Sequence, residues 1–248
     1  PVLSYAQALG QGVNKYYLIA VAGTHGKTTT TAMLIDIFED AAIDPTAIVG
    51  SLHNKTKSNF RAGKGKYFIV EADEYQRHFL NLAPMVLAIT NIEADHLDYY
   101  KDLADIQSAF REFVSKIPKD GFLVCNPSDP NVKPVLESAK CRTVDYSKSG
   151  ADFRLKIPGQ YNIENAKTAF AVARTMGIPE GKIIASLENY QSVWRRFETK
   201  GTTKSGALVY DDYAHHPTEI KAALRGFKEK FPGKRLVVVF QPHLFSRT

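Results

Sequence analysis

Two cysteines in 248 residues, Cys125 and Cys141, are too few for a disulfide framework. They form no CxxC pair, so neither a zinc ribbon nor a dithiol motif is encoded. Such sparing use of cysteine fits a reducing compartment, and a cytoplasmic protein is expected. Long apolar runs are missing as well. Runs such as 85–89 (MVLAI) and 236–240 (LVVVF) are strand-length, so no membrane span and no membrane partner are expected. The opening residues carry no leader pattern. Acidic residues are the scarcer sign, 26 against 32 basic ones, for a formal net charge of +6. The basic residues, among them Lys55, Lys57, Arg61, Lys64, Lys66, Arg195 and Arg196, are dispersed. That suits a polyanionic small ligand and makes only a weak case for nucleic acid.

What the chain does have is a hydrophobic fraction of 44%, enough for a packed core. Apolar strand-like runs near 17–22, 67–71, 85–90, 121–125, 207–211 and 235–240 alternate with helical patterns near 28–40, 103–116, 163–176, 180–188 and 217–230. The alternation predicts an α/β protein built on a parallel sheet. A polar stretch over 190–206 interrupts it. We therefore expect two domains, 1–192 and 193–248. The second has too few strands to bury both faces of a parallel sheet, so the chain reads as a piece of a longer protein.

The sharpest signal is Ala22-Gly23-Thr24-His25-Gly26-Lys27-Thr28-Thr29-Thr30. It joins an apolar strand to a helix. A glycine-rich turn there lets backbone N–H groups converge, the helix N-terminus adds partial positive charge, and Lys27 adds a full one. The combination binds polyphosphate, with the Thr28 hydroxyl placed for magnesium. Val21 stands where the strict pattern has its first glycine, so the loop is a variant. Four consecutive threonines at 28–31 are poor helix formers and suggest hydroxyls used as caps or ligands.

Other polar groups sit at strand ends. The run 67–74 (YFIVEADE) ends in acids, and Glu71 is the expected metal ligand. After the 85–90 strand come Asn91, Asp95, His96 and Asp98, with His96 able to ligate a divalent ion. Asn162 and Asn165 share one face of a helix's first turn and could read a purine edge, while Asn162 serves equally well as a helix cap. Arg195-Arg196-Phe197 lies at the expected domain boundary, where an arginine could neutralise a transferring phosphoryl group. The segments 210–217 (YDDYAHHP) and 241–247 (QPHLFSR) place further polar groups after strands.

In order along the chain, GTHGKTTTTAML, YFIVEADE, PMVLAITNIEADHLDYY, PGQYNIENA, WRRFE, YDDYAHHPTE and FQPHLFSRT together resemble the Mur ligases of bacterial cell-wall synthesis. The resemblance implies a P-loop-type central ATPase domain followed by the start of a Rossmann-like domain, without the family's UDP-binding domain. It implies an ATP-dependent amide ligase using magnesium, with UDP-N-acetylmuramate and L-alanine as substrates. Residues 104–113 contain Arg111 but no lysine, in keeping with the alanine-adding branch, which lacks a carbamylated lysine there. The 147–157 connection is short for the family: a hairpin has been lost, or residues are missing near Gly150.

Carried over by motif, Lys27, Glu71, His96 and Arg196 are the catalytic set. Gly23, Thr24, His25, Gly26, Lys27, Thr28, Thr29, Asn162, Asn165, Arg196 and Asp212 form the nucleotide site. Thr28, Glu71 and His96 take the metal, and His215, His243 and Arg247 face the substrate. The alternatives are a sister ligase adding a preformed peptide, a folate polyglutamate ligase, a nucleic-acid-linked ATPase, or a nucleotide-binding piece without activity.

Overall fold

The structure, a computed structural model, describes residues 2–242. The chain runs α1 (Tyr5–Val13), β1 (Tyr17–Ala22), α2 (Lys27–Asp40), β2 (Thr46–Ile48), β3 (Phe60–Arg61), β4 (Tyr67–Glu71), β5 (Val86–Ile89), α3 (Leu103–Ser115), β6 (Phe122–Cys125) and β7 (Arg142–Asp145). It continues through α4 (Gln160–Thr175), α5 (Glu180–Asn189), β8 (Glu198–Thr202), β9 (Leu208–Asp211) and α6 (Pro217–Lys230).

Seven strands form one sheet in the order β3-β2-β4-β1-β5-β6-β7, parallel except for β3. The strand β1 is central because YLIAVA has apolar residues on both faces. Its side chains alternate: Ile19 and Val21 join the layer of α2, α4 and α5, whereas Leu18, Ala20 and Ala22 join that of α1 and α3. No described helix is long and apolar enough to cross a membrane. Both cysteines are free, and burial pushes the Cys125 thiol up to about 12.

The strand order fixes where ligands can gather. The chain lays β4 on one side of β1 and then crosses to place β5 on the other. The carboxyl ends of these three strands therefore frame a crevice at a topological switch point. Lys27 follows β1, Glu71 ends β4 and His96 follows β5.

Several expectations need correction. The elements α1, β2, β3 and β7 were not legible; the three strands have two to four residues each, too few to show a period. The helix expected from 163 starts at Gln160. The short 147–157 connection drives Phe153 and Ile157 into the core beside α4. The expected strand at 235–240 is not one among the described residues: 234–242 have no regular structure, with Val237 71% and Val239 94% exposed. Apolar character alone does not make a strand when no neighbour pairs with it, and β9 instead pairs antiparallel with β8. Of that second sheet, β8 lies in the polar stretch over 190–206, where no strand was expected, and β9 falls on the strand expected at 207–211. The sheet is covered by α6 through Phe197, Tyr210 and Phe227, with the Phe197 and Phe227 rings stacked at 4.1 Å.

Candidate functional site

The phosphate-loop candidate is a tight turn laid against the end of β5. His25 N–H donates to Asn91 Oδ1 at 2.9 Å, and Thr90 Oγ1 donates to the His25 carbonyl at 2.6 Å. Gly26 caps α2 at φ 82°, and a Cβ there would lie 2.1 Å from Asn165 Oδ1. Only glycine lets the loop and the start of α4 come this close. No side chain caps α2, and the hydroxyls of Thr30 and Thr31 are buried without hydrogen-bond partners among the described residues. Thr29 lines a neighbouring cavity, and Thr28 Oγ1 donates to Glu71 Oε1 at 2.8 Å. The other Glu71 oxygen accepts the Gly50 N–H at 2.6 Å.

Lys27 Nζ reaches back to the carbonyls of Gly23 (2.6 Å) and Thr24 (3.2 Å) and to Glu74 Oε1 (2.9 Å). Burial disfavours its charge, but the carboxylates of Glu74, Glu71 and Asp73 together outweigh burial and raise its pKa. Burial pushes Glu74 up, against the pull of Lys27. Glu74 Oε2 is buried with no hydrogen-bond partner among the described residues. His96, in the left-handed region at φ 53°, points Nε2 to within 3.7 Å of Glu74 Oε1 and packs on Tyr75.

One cavity of about 410 Å³ is lined by Thr24, Gly26, Lys27, Thr28, Glu71 and His96 from the sheet side, and by Arg196, His215 and Glu219 from the C-terminal side. A second, of about 390 Å³, is lined by His25, Thr29, Asn162, Asn165, Arg196 and Asp212. Gly26, Arg196 and Glu219 line both. Asn162 is not the helix cap; Gly159 is, and Asn162 Nδ2 donates to the Pro158 carbonyl at 2.7 Å. Asp212 spends its carboxylate on backbone N–H groups of Phe197 and Ala214, both at 2.8 Å, and burial raises its pKa despite them. His215 Nδ1 lies 3.0 Å from the Tyr213 carbonyl. The expected substrate residues His243 and Arg247 lie outside the described residues.

Sequence reasoning missed two acids. Glu74 was passed over for Glu71, although both sit in the same acidic run. Glu219, three residues past the His216 cap of α6, accepts from His25 and from the His215 N–H (both 3.2 Å) and faces Arg196 Nη1 at 3.8 Å. Burial opposes its ionisation, but the His25 hydrogen bond and the Arg196 charge hold it well below the usual carboxylate range. The signal available was its place in the first turn of a helix, where acids are favoured.

A mostly parallel sheet with a lysine-bearing loop at its switch point is the architecture of a phosphate-binding nucleotide site. The profile described as Mur ligase middle domain matches residues 21–153, and that described as Mur ligase, glutamate ligase domain matches 195–247. The chain belongs to the Mur ligase family. Among particular relatives, it is 42% identical to the UDP-N-acetylmuramate–L-alanine ligase of Clostridium kluyveri over 276 aligned positions, covering all of this chain and 60% of the relative. It is also 42% identical to the ligase of the same description from Desulfitobacterium hafniense, covering 61% of it. The crystal structure of UDP-N-acetylmuramate-alanine ligase MurC from Thermotoga maritima superposes with a TM-score of 0.81 at 28% identity, over 96% of this chain and 59% of that one. A murein peptide ligase from Psychrobacter arcticus gives 0.73 at 28% identity, over 94% and 59%. The chain thus spans about 60% of the length of the curated relatives it matches.

Proposed function

We propose that this chain is the nucleotide-binding and phosphoryl-transfer part of an ATP-dependent ligase that joins L-alanine to the carboxylate of UDP-N-acetylmuramate. The supporting observation is the shared cavity: Lys27, Thr28, Glu71, His96 and Arg196 come from four separate segments and line one space. We place the domain boundary at 192/193, just ahead of the turn that carries Arg195 and Arg196.

A carboxylate does not react with an amine because oxide is a poor leaving group. Transfer of the terminal phosphoryl of ATP to a carboxylate oxygen releases ADP and gives an acyl phosphate. The alanine nitrogen then attacks the carbonyl carbon, and the tetrahedral adduct expels phosphate. Charge gathers on the transferring group, so positioned cations and N–H donors dominate such catalysis. Lys27 and Arg196 supply the cations from opposite walls, and the 23–28 loop supplies the N–H donors. Asn162 and Asn165 face the cavity suited to the base, and Asp212 ties the Phe197 turn to β9 so that Arg196 is presented.

The donor set fits magnesium. Thr28 Oγ1 and Glu71 offer hard oxygens 2.8 Å apart, and the buried Glu74 Oε2 has no hydrogen-bond partner among the described residues. Thr28, Glu71 and His96 would hold the ion, which when bound neutralises phosphate charge. His215, with His243 and Arg247, is assigned to the substrate side. On this reading the protein is cytoplasmic and needs neither membrane nor nucleic acid.

The test is ADP formation in the full-length protein carrying this sequence. It should require both UDP-N-acetylmuramate and L-alanine, and Lys27→Ala should abolish it. ADP release with a preformed tripeptide but not with alanine would favour the sister ligase. Unchanged release by the Lys27 variant would refute the site.

A further inference from the structure

His25 lies between two carboxylates. Its Nδ1 is 3.2 Å from Glu219 Oε1 and its Nε2 is 3.4 Å from Glu93 Oε2. The side chain is 12% exposed, and among the described residues no hydrogen bond satisfies the buried Nε2. A neutral imidazole carries one N–H and can donate to only one of two carboxylates. With Nδ1–H on Glu219, the Nε2 lone pair faces a Glu93 oxygen, and the two repel. A cation between them removes the repulsion. The ring of His216 completes the surroundings, its centroid 4.6 Å from that of His25. One ligand atom each from His25, Glu93 and His216 lie within 4.8 Å of one another. Bonds of about 2.0–2.1 Å around a tetrahedral ion put ligand atoms roughly 3.4 Å apart, so shifts on the order of 1 Å close the set.

We propose that His25, Glu93 and His216 form a binding site for a zinc-class transition-metal ion, with the fourth position open. Two imidazoles and a carboxylate suit zinc, whereas magnesium prefers an all-oxygen shell. The outer partners are in place. Glu219 orients His25 through Nδ1, and Thr218 Oγ1 donates to Glu93 Oε2 at 2.9 Å. His216 Nδ1 accepts the Thr218 N–H at 3.3 Å. Ligation gives up this long bond, directly through Nδ1 or by protonating Nδ1 when Nε2 binds. The ion ties the phosphate-loop turn, the segment after β5 and the start of α6 together at the wall of the cavity of about 390 Å³, which His25 and Glu93 line. The proposal stands on these residues alone and does not depend on the substrate assignment.

Calorimetry with zinc chloride, cobalt(II) absorption and thermal unfolding of the purified protein test it. One zinc should bind per chain, raise the melting temperature and give the visible bands of tetrahedral cobalt, and millimolar magnesium should not compete. Glu93→Gln and His216→Asn should each weaken zinc binding by more than ~10-fold, since losing an outer partner alone costs about that. Asparagine keeps a cap acceptor on α6, so His216→Asn separates ligation from helix stability. Absence of saturable zinc binding, or equal binding by both variants, overturns the proposal. So does a His25 ring found doubly protonated by NMR in protein that takes up no zinc, which would give the gap to a proton.

Discussion

The seven-stranded sheet and the β8–β9–α6 unit are built on different terms. In the sheet layer, β1, β4, β5 and β6 are sealed on both faces, and Ile19 and Leu87 of the strands and Phe110 of the covering α3 are fully buried. In the second unit one small aromatic cluster holds α6 to β8–β9, while Leu208 and the 236–240 run remain largely exposed. The site straddles the two. Lys27, Glu71 and His96 stand on the rigid partner, and Arg196, His215 and Glu219 on the lightly packed one. Under the proposed function, a cation that meets charge during phosphoryl transfer belongs on an element that can shift, whereas a loop that cradles phosphate gains from a fixed backbone.

Substitutions can break or sharpen that contrast. Phe110→Ala should be the most damaging to the fold, costing about 3–5 kcal/mol, because the ring is fully buried against Phe79. A urea midpoint close to the parent's would show the sheet layer to be looser than described. Lys27→Met should lower turnover by roughly 10²–10³-fold or more, the loss expected when a cation at the transferring group is removed. The same change leaves the buried Glu74 unpaired, so its unfolding should also move; a variant that is inactive but as stable as the parent would argue against the Lys27–Glu74 pair.

Glu219→Gln should cost about 1.5–3 kcal/mol near neutrality through the His25 and Arg196 contacts. The sign follows from linkage. The carboxyl is held below its ordinary value of 4.5 in the folded state, so its stabilisation is present above that pH and fades as the pH falls through the folded value. The melting-temperature gap between parent and variant should therefore close in acid. A gap that widens below pH 4.5 contradicts the assignment. Smallest of all, Val238→Ala, at a position 53% exposed, should change stability by no more than ~0.5 kcal/mol. A penalty like that of Phe110→Ala would mean that something covers the 236–240 run.

Sequence alone determined the alternation of strands and helices, the buried character of β1, β4, β5 and β6, and the strand–turn–helix junction at Lys27. These are local matters: side-chain period, glycine at a turn, and acids at strand ends all act within a few residues. It could not supply β2, β3 and β7, whose two to four residues show no period, nor unmake the expected 235–240 strand, whose existence depends on a neighbour. Only the tertiary structure decided that Glu74, rather than Glu71, takes Lys27, and that Glu219 joins His25 to Arg196. Those partners lie 47 and 194 residues apart from Lys27 and His25. Charge pairing at that separation is set by which strand ends and helix starts the fold brings together, and no local pattern encodes it.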